Sequence, residues 1–128
     1  MQVLKHPEQI ALKASEILKN CKLTQCRGML WNGDRTEFCA IGALAETLGF
    51  NRINIYRALS TSLFHESYRA NRHSVWDGNE RPNLDFACKC PECGRRADTY
   101  MNMIIHLNDS KHRWTFKQIG EWLEKEGY

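Results

Sequence analysis

Residues 90–112 read CPECGRRADTYMNMIIHLNDSKH: two cysteines stand two residues apart, a gap of twelve leads to a histidine, and a gap of five to another. Thiolate sulfur and imidazole nitrogen are donors that zinc accepts in a tetrahedron, and a Cys-x-x-Cys turn can present both sulfurs to one ion. Cys90, Cys93, His106 and His112 are therefore the expected ligands of a single zinc ion. Pro91 stiffens the turn, and Gly94 after the second cysteine lets backbone amides approach the thiolates. Cys88 is a competing ligand, because zinc also accepts three cysteines and one histidine. Its one-residue gap to Cys90 makes it a poorer chelate partner than Cys93. Four protein ligands leave no open position for an activated water, so the expected role of the metal is structural.

A second chemistry is written at Cys39, which begins the apolar stretch CAIGALAETL. A helix dipole can lower a thiol pKa, and His106 with Asn108 or Asp109 would complete a cysteine-hydrolase triad in the order such enzymes use. Two points weigh against it: His106 is claimed by the zinc spacing, and a cysteine in so apolar a stretch is more often a small buried hydrophobe.

These residues need elements to hold them. Ile10, Ala14, Ile17, Leu18 and Cys21 recur at three- and four-residue steps after Pro7, which predicts a helix over 7–20. Asn32-Gly33 between two apolar stretches predicts a small hairpin. Residues 39–48 read as a buried helix stopped by Gly49, and Gly42 inside it implies close packing against another backbone. Ile55, Tyr56, Leu59 and Leu63 mark a helical stripe between Arg52 and Arg69, and the Gly, Pro, Asn and Asp of 71–86 read as a loop. Asp98 is placed to cap a helix carrying Tyr100, Met103, Ile104 and Leu107, ended by Asn108-Asp109. That helix would deliver His106 from its last turn. Thr115 and Gln118 form a capping-box pattern for a last helix with Phe116, Ile119, Trp122 and Leu123 on its apolar face, ending near Gly127.

The fold expected is mainly α with a small β-hairpin: one compact helical domain over 1–128, with a two-cysteine, two-histidine zinc knuckle in 88–112. A length of 128 residues suits one modest core, and 42% hydrophobic with 26% charged residues suits a globular protein rather than one inserted in a membrane. The N-terminal twenty residues lack the uninterrupted apolar core of a secretory signal. A cytoplasmic protein with six reduced cysteines is the expectation, and clustered thiols in that compartment are more often metal ligands than disulfides.

The net charge of +3 is well short of the excess that marks a dedicated nucleic-acid protein. Arg95-Arg96 is the strongly basic pair near the cysteines; Arg69, Arg72, His73, Lys111 and Arg113 could extend a basic surface, with Trp76 or Trp114 for base stacking. The alternative is that these are solvated charges and core tryptophans.

Two segments, CAIGAL at 39–44 and IIHLNDSKHRWTFKQIGEWLE at 104–124, resemble small uncharacterised proteins of bacteriophages and some bacteria. Those proteins pair a Cys-x-x-Gly-Ala motif with a late His-Leu-Asn-Asp, a histidine, a tryptophan and a terminal amphipathic helix. The resemblance implies a phage or prophage product acting in the cytoplasm of a bacterial host cell, and carries no activity with it. The expected function is a small zinc-stabilised binding protein whose partner is nucleic acid or a host protein. The alternative is a phage counter-defence protein that sequesters a small nucleotide or blocks a defence component, since arginines and aromatics suit phosphate and base contacts in a pocket too.

Overall fold

A computed structural model describes residues 12–50, 55–66 and 87–128. Among the described residues the architecture is mostly helical, with two minimal two-stranded sheets. In chain order the elements are α1 (Ala14–Lys19), β1 (Thr24–Gln25), β2 (Glu37–Phe38), α2 (Ala40–Leu48), α3 (Ile55–Leu63), β3 (Cys88–Lys89), β4 (Arg96–Ala97), α4 (Tyr100–Asp109) and α5 (Phe116–Glu126). Among the described residues no helix is long and apolar enough to cross a membrane.

Local sequence accounts for most helix boundaries. Cys39 caps α2, its sulfur accepting from the Gly42 N–H at 3.3 Å, and Gly49 closes the helix in the left-handed region. The Thr115–Gln118 capping box starts α5, and Gly127 ends it in the same manner as Gly49. At α4 the N-cap is Thr99 rather than the expected Asp98; Thr99 Oγ1 accepts from the Asn102 N–H at 3.1 Å, while Asp98 accepts from the Asn102 side chain. The two preceding free N–H groups of α4, on Tyr100 and Met101, donate to the two carboxylate oxygens of Glu66 at 2.9 and 3.2 Å. A residue next to α3 thus completes the cap of α4.

The described part of the expected 7–20 helix is α1; residues 7–11 lie outside the described set, as do 67–86, which hold the expected loop and the far end of the stripe begun by α3. Ile55, Leu59 and Leu63 of that stripe are buried and Tyr56 is half-buried.

The sheets depart from expectation. β1 and β2 pair in parallel, Thr24 opposite Glu37 and Gln25 opposite Phe38. The Asn32-Gly33 turn does fold back, but only as a single antiparallel bridge between Trp31 and Phe38, with Asn32 Oδ1 accepting from the N–H groups of Thr36 and Glu37. The left-handed residue there is Arg35, stacked 4.0 Å over the Trp31 ring. The antiparallel hairpin lies instead at β3–β4, Cys88 opposite Ala97 and Lys89 opposite Arg96. Strands of two residues are too short to show the alternation by which strands are read from sequence.

The core gathers α2, one face each of α3, α4 and α5, and the buried side of α1. At Gly42 the chain passes close to itself: a Cβ there would stand 2.0 Å from the Leu30 carbonyl oxygen, as the expectation of close backbone packing requires. Gly120 plays the same part between α5 and α1, where a Cβ would meet Lys19 N at 2.9 Å and Ser15 O at 3.0 Å. Lys19 then pairs with Glu124 at 2.8 Å across that contact. Tyr100, at the start of α4, packs on Phe64, Trp122 and Tyr128 with ring centroids 6.0, 5.7 and 4.6 Å away, and its hydroxyl donates to Glu126 at 2.7 Å. The N-terminal end of α4 is therefore fixed by burial as well as by its cap.

Candidate metal centre

The tip of the β3–β4 hairpin carries Cys90 and Cys93. Cys90 N donates to Arg95 O at 2.7 Å and Gly94 N to Cys90 O at 3.0 Å, which closes the turn. The N–H groups of Glu92 and Cys93 both point at Cys90 Sγ, each at 3.4 Å. These are the donors expected around a thiolate ligand. Gly94 serves the turn through its φ of +80° and not by making room, since nothing stands within 4 Å of where its Cβ would be.

The other two donors come from the far end of α4. His106 lies in its last turn, Ser110 ends the helix, and Arg113, at φ 54°, bends the chain back so that Trp114 N donates to Leu107 O at 3.0 Å. That bend returns His112 toward the hairpin. His112 Nε2 stands 3.6 Å from Cys90 Sγ, and His106 Nε2 stands 3.4 Å from Cys93 Sγ. The two imidazoles meet nearly edge to face, centroids 4.9 Å apart. All four donor atoms lie within 4.8 Å of one another.

Those separations test the fit. Zinc–sulfur bonds of about 2.3 Å and zinc–nitrogen bonds of about 2.0–2.1 Å at the tetrahedral angle put sulfur and nitrogen about 3.6 Å apart. The two sulfur–nitrogen distances match that edge, so the four residues could hold one metal ion. Cys88 lies outside the group: it is buried, with its thiol on the Thr99 carbonyl at 3.9 Å. Burial, then the neighbouring His112 and Arg95, hold His106 below the ordinary histidine value, which favours the neutral imidazole that a ligand must be. Burial pushes the Cys90 thiol up, and the N–H groups of Cys93 and Glu92 oppose that rise.

Two residues of this region have roles that the sequence reading did not assign. Glu92 joins the ends of the site: one carboxylate oxygen is 3.4 Å from His112 Nδ1 and the other accepts from the Trp114 indole N–H at 2.6 Å. Asn108, read only as a helix stop and triad member, is 1% exposed. It accepts from the Ala40 N–H at 3.1 Å and the Gln25 amide at 2.7 Å, and donates to Cys26 O at 3.1 Å and Asp109 Oδ1 at 2.7 Å.

Cys39 sits on the other side of that asparagine. Burial pushes its thiol up to about 11, against the lowering expected from the helix dipole; Asp109 and Cys26 add to the rise, and His106 Nε2 faces Cys93 instead. Of the basic residues considered for a binding surface, Arg95, Arg96, Lys111 and Arg113 are exposed, while Arg69, Arg72, His73 and Trp76 lie outside the described residues. Trp114 is half-buried with its indole N–H taken by Glu92.

Hairpin, helix and return bend together define a small helical protein with a candidate two-cysteine, two-histidine metal centre. No protein-family model, curated protein or solved structure matches the chain.

Proposed function

We propose that the chain is a zinc-stabilised binding module without catalytic activity of its own, with nucleic acid as its partner. The observation that carries the metal part is the convergence of Cys90, Cys93, His106 and His112 donor atoms within 4.8 Å. Two thiolates with two imidazoles are the chemistry of a structural zinc site, closed to water once all four ligands bind. Bound there, the ion supplies a crosslink between the hairpin and the C-terminal end of α4. The residues do the rest: the Cys90–Gly94 turn holds the sulfurs, and the bend after Ser110 returns the second imidazole.

The nucleic-acid part rests on the exposed Arg95, Arg96, Lys111 and Arg113, which come from the same hairpin and return bend that carry the ligands. Cations so carried would contact phosphates, and the metal would hold them in register. The resemblance to small phage and bacterial proteins supports a bacterial cell as the place of action. Metal analysis of the purified protein tests the first part: one zinc per chain is expected, held more weakly in Cys90→Ser and His112→Ala. Full retention by both variants would overturn it. Retention on immobilised nucleic acid that falls steeply with salt tests the second, because phosphate contacts release counterions. Binding of a free nucleotide with little salt dependence and no polymer affinity would replace it with the pocket reading.

A further inference from the structure

Glu92 is one of the two residues between the cysteines of the turn, where its side chain has no part in holding the sulfurs. Its carboxylate instead reaches the far end of the site. One oxygen stands 3.4 Å from His112 Nδ1, and the other accepts from Trp114 Nε1 at 2.6 Å. We propose that Glu92 is the positioning residue of the metal centre: it fixes the proton of His112 on Nδ1 and thereby turns the Nε2 lone pair toward the cysteines. The proposal rests on the metal reading above.

Three observations favour this role over a surface contact. First, an imidazole offers two nitrogens, and which of them can bind a metal is set by the hydrogen-bond partner of the other. Here the nitrogen on the carboxylate side is Nδ1, and the one on the thiolate side, 3.6 Å from Cys90 Sγ, is Nε2. Second, the carboxylate is itself anchored. The backbone of Trp114 is held at both ends: its N–H donates to Leu107 O, and its carbonyl accepts from Gln25 Nε2 at 2.8 Å and from the Arg27 guanidinium at 3.3 Å. With that backbone held and the ring packed against the core, the indole N–H is a well-placed donor. Third, His112 lies beyond the end of α4, so no helical backbone sets the orientation of its ring as α4 does for His106. An outer partner has the most to do at such a ligand.

Zinc alone is the probe, its affinity measured by competition with a chromophoric chelator on the full chain. Glu92→Ala is expected to weaken binding about 10–100-fold, the usual cost of losing an outer-shell partner. Glu92→Gln, whose amide oxygen still accepts one of the two N–H groups, is expected to recover part of that loss. His112→Ala keeps three ligands, and in that background Glu92→Ala is expected to change affinity less than twofold, because the ligand it positions is gone. An equal loss in both backgrounds would show a general structural effect and overturn the proposal, as would unchanged affinity of Glu92→Ala in the wild-type background. A wild-type chain that takes up no zinc would instead defeat the metal reading, and this one with it.

Discussion

Asn108 Oδ1 accepts a hydrogen bond from the backbone N–H of Ala40 at 3.1 Å, linking residues 68 positions apart. Ala40 opens α2, and Asn108 belongs to the last turn of α4, two residues after a candidate metal ligand. The same side chain donates to Cys26 O, so one amide joins the segment around β1, the start of α2 and the C-terminal turn of α4. The Cys-Ala-Ile-Gly-Ala and His-Leu-Asn-Asp segments, far apart in the chain, meet at this bond.

Asn108→Asp keeps the shape and the accepting oxygen but sets a second oxygen against Cys26 O and Asp109 Oδ1, in a position almost closed to water. Each buried polar group so left without a partner costs about 1–3 kcal/mol. Chemical denaturation is expected to show a loss of roughly 3 kcal/mol. Wild-type stability in this variant would show that water reaches the site.

Gly42→Ala puts a methyl group 2.0 Å from a backbone carbonyl oxygen, whereas Gly120→Ala meets backbone atoms at 2.9 and 3.0 Å and the flexible Lys19 chain at 2.8 Å. Both should destabilise, by about 1–3 kcal/mol as overpacking usually does. Gly42→Ala should be the worse of the two, because a carbonyl cannot move aside without dragging the Leu30–Cys39 hydrogen bond with it. Unfolding midpoints of the two variants give the order.

The Cys39 thiol, pushed up to about 11 from an ordinary 9.0 mainly by burial, should be nearly inert to iodoacetamide at neutral pH. A thiol at about 11 rather than 9.0 leaves about a hundredfold less thiolate. Labelling followed by mass spectrometry should find Cys93, the exposed cysteine, modified first in metal-free protein. The stability contribution of neutral Cys39 is whole below about pH 9 and is lost as the pH rises through about 11, so unfolding should become easier across that interval. Rapid Cys39 labelling at pH 7 would contradict this assignment.

Chelation should lower the thermal midpoint, since a ligand bound only by the folded state stabilises it by about 4 kcal/mol at a thousandfold excess over Kd. Cys90→Ser should show a smaller response to chelator than wild type. Identical midpoints with and without chelator in the wild type would remove the metal from the stability of this fold.

What could be read from sequence depended on how local its cause is. The start of α5 follows from Thr115 and Gln118 three residues apart, and the ends of α2 and α5 follow from Gly49 and Gly127; each is decided within one turn of helix. The ligand spacing is local in the same way. The β1–β2 pairing depends on a contact between Thr24 and Glu37 that neither residue announces, and the two-residue strands beside the cysteines carry no pattern. Glu92 looks like an ordinary surface acid, and Asn108 like a helix stop or a triad member. Their roles depend on which distant groups meet them, and only the folded chain supplies those groups.

The four candidate ligands fall within 23 consecutive residues, whereas the Lys19–Glu124 contact that locks α1 to α5 spans 105 positions. Closing a short loop sacrifices less chain entropy than closing a long one. An ion captured by the nascent hairpin and its following helix would therefore organise this corner before the chain's two extremities find each other. With the ion bound, the order of assembly would run from the C-terminal third inward, with α1 docking late.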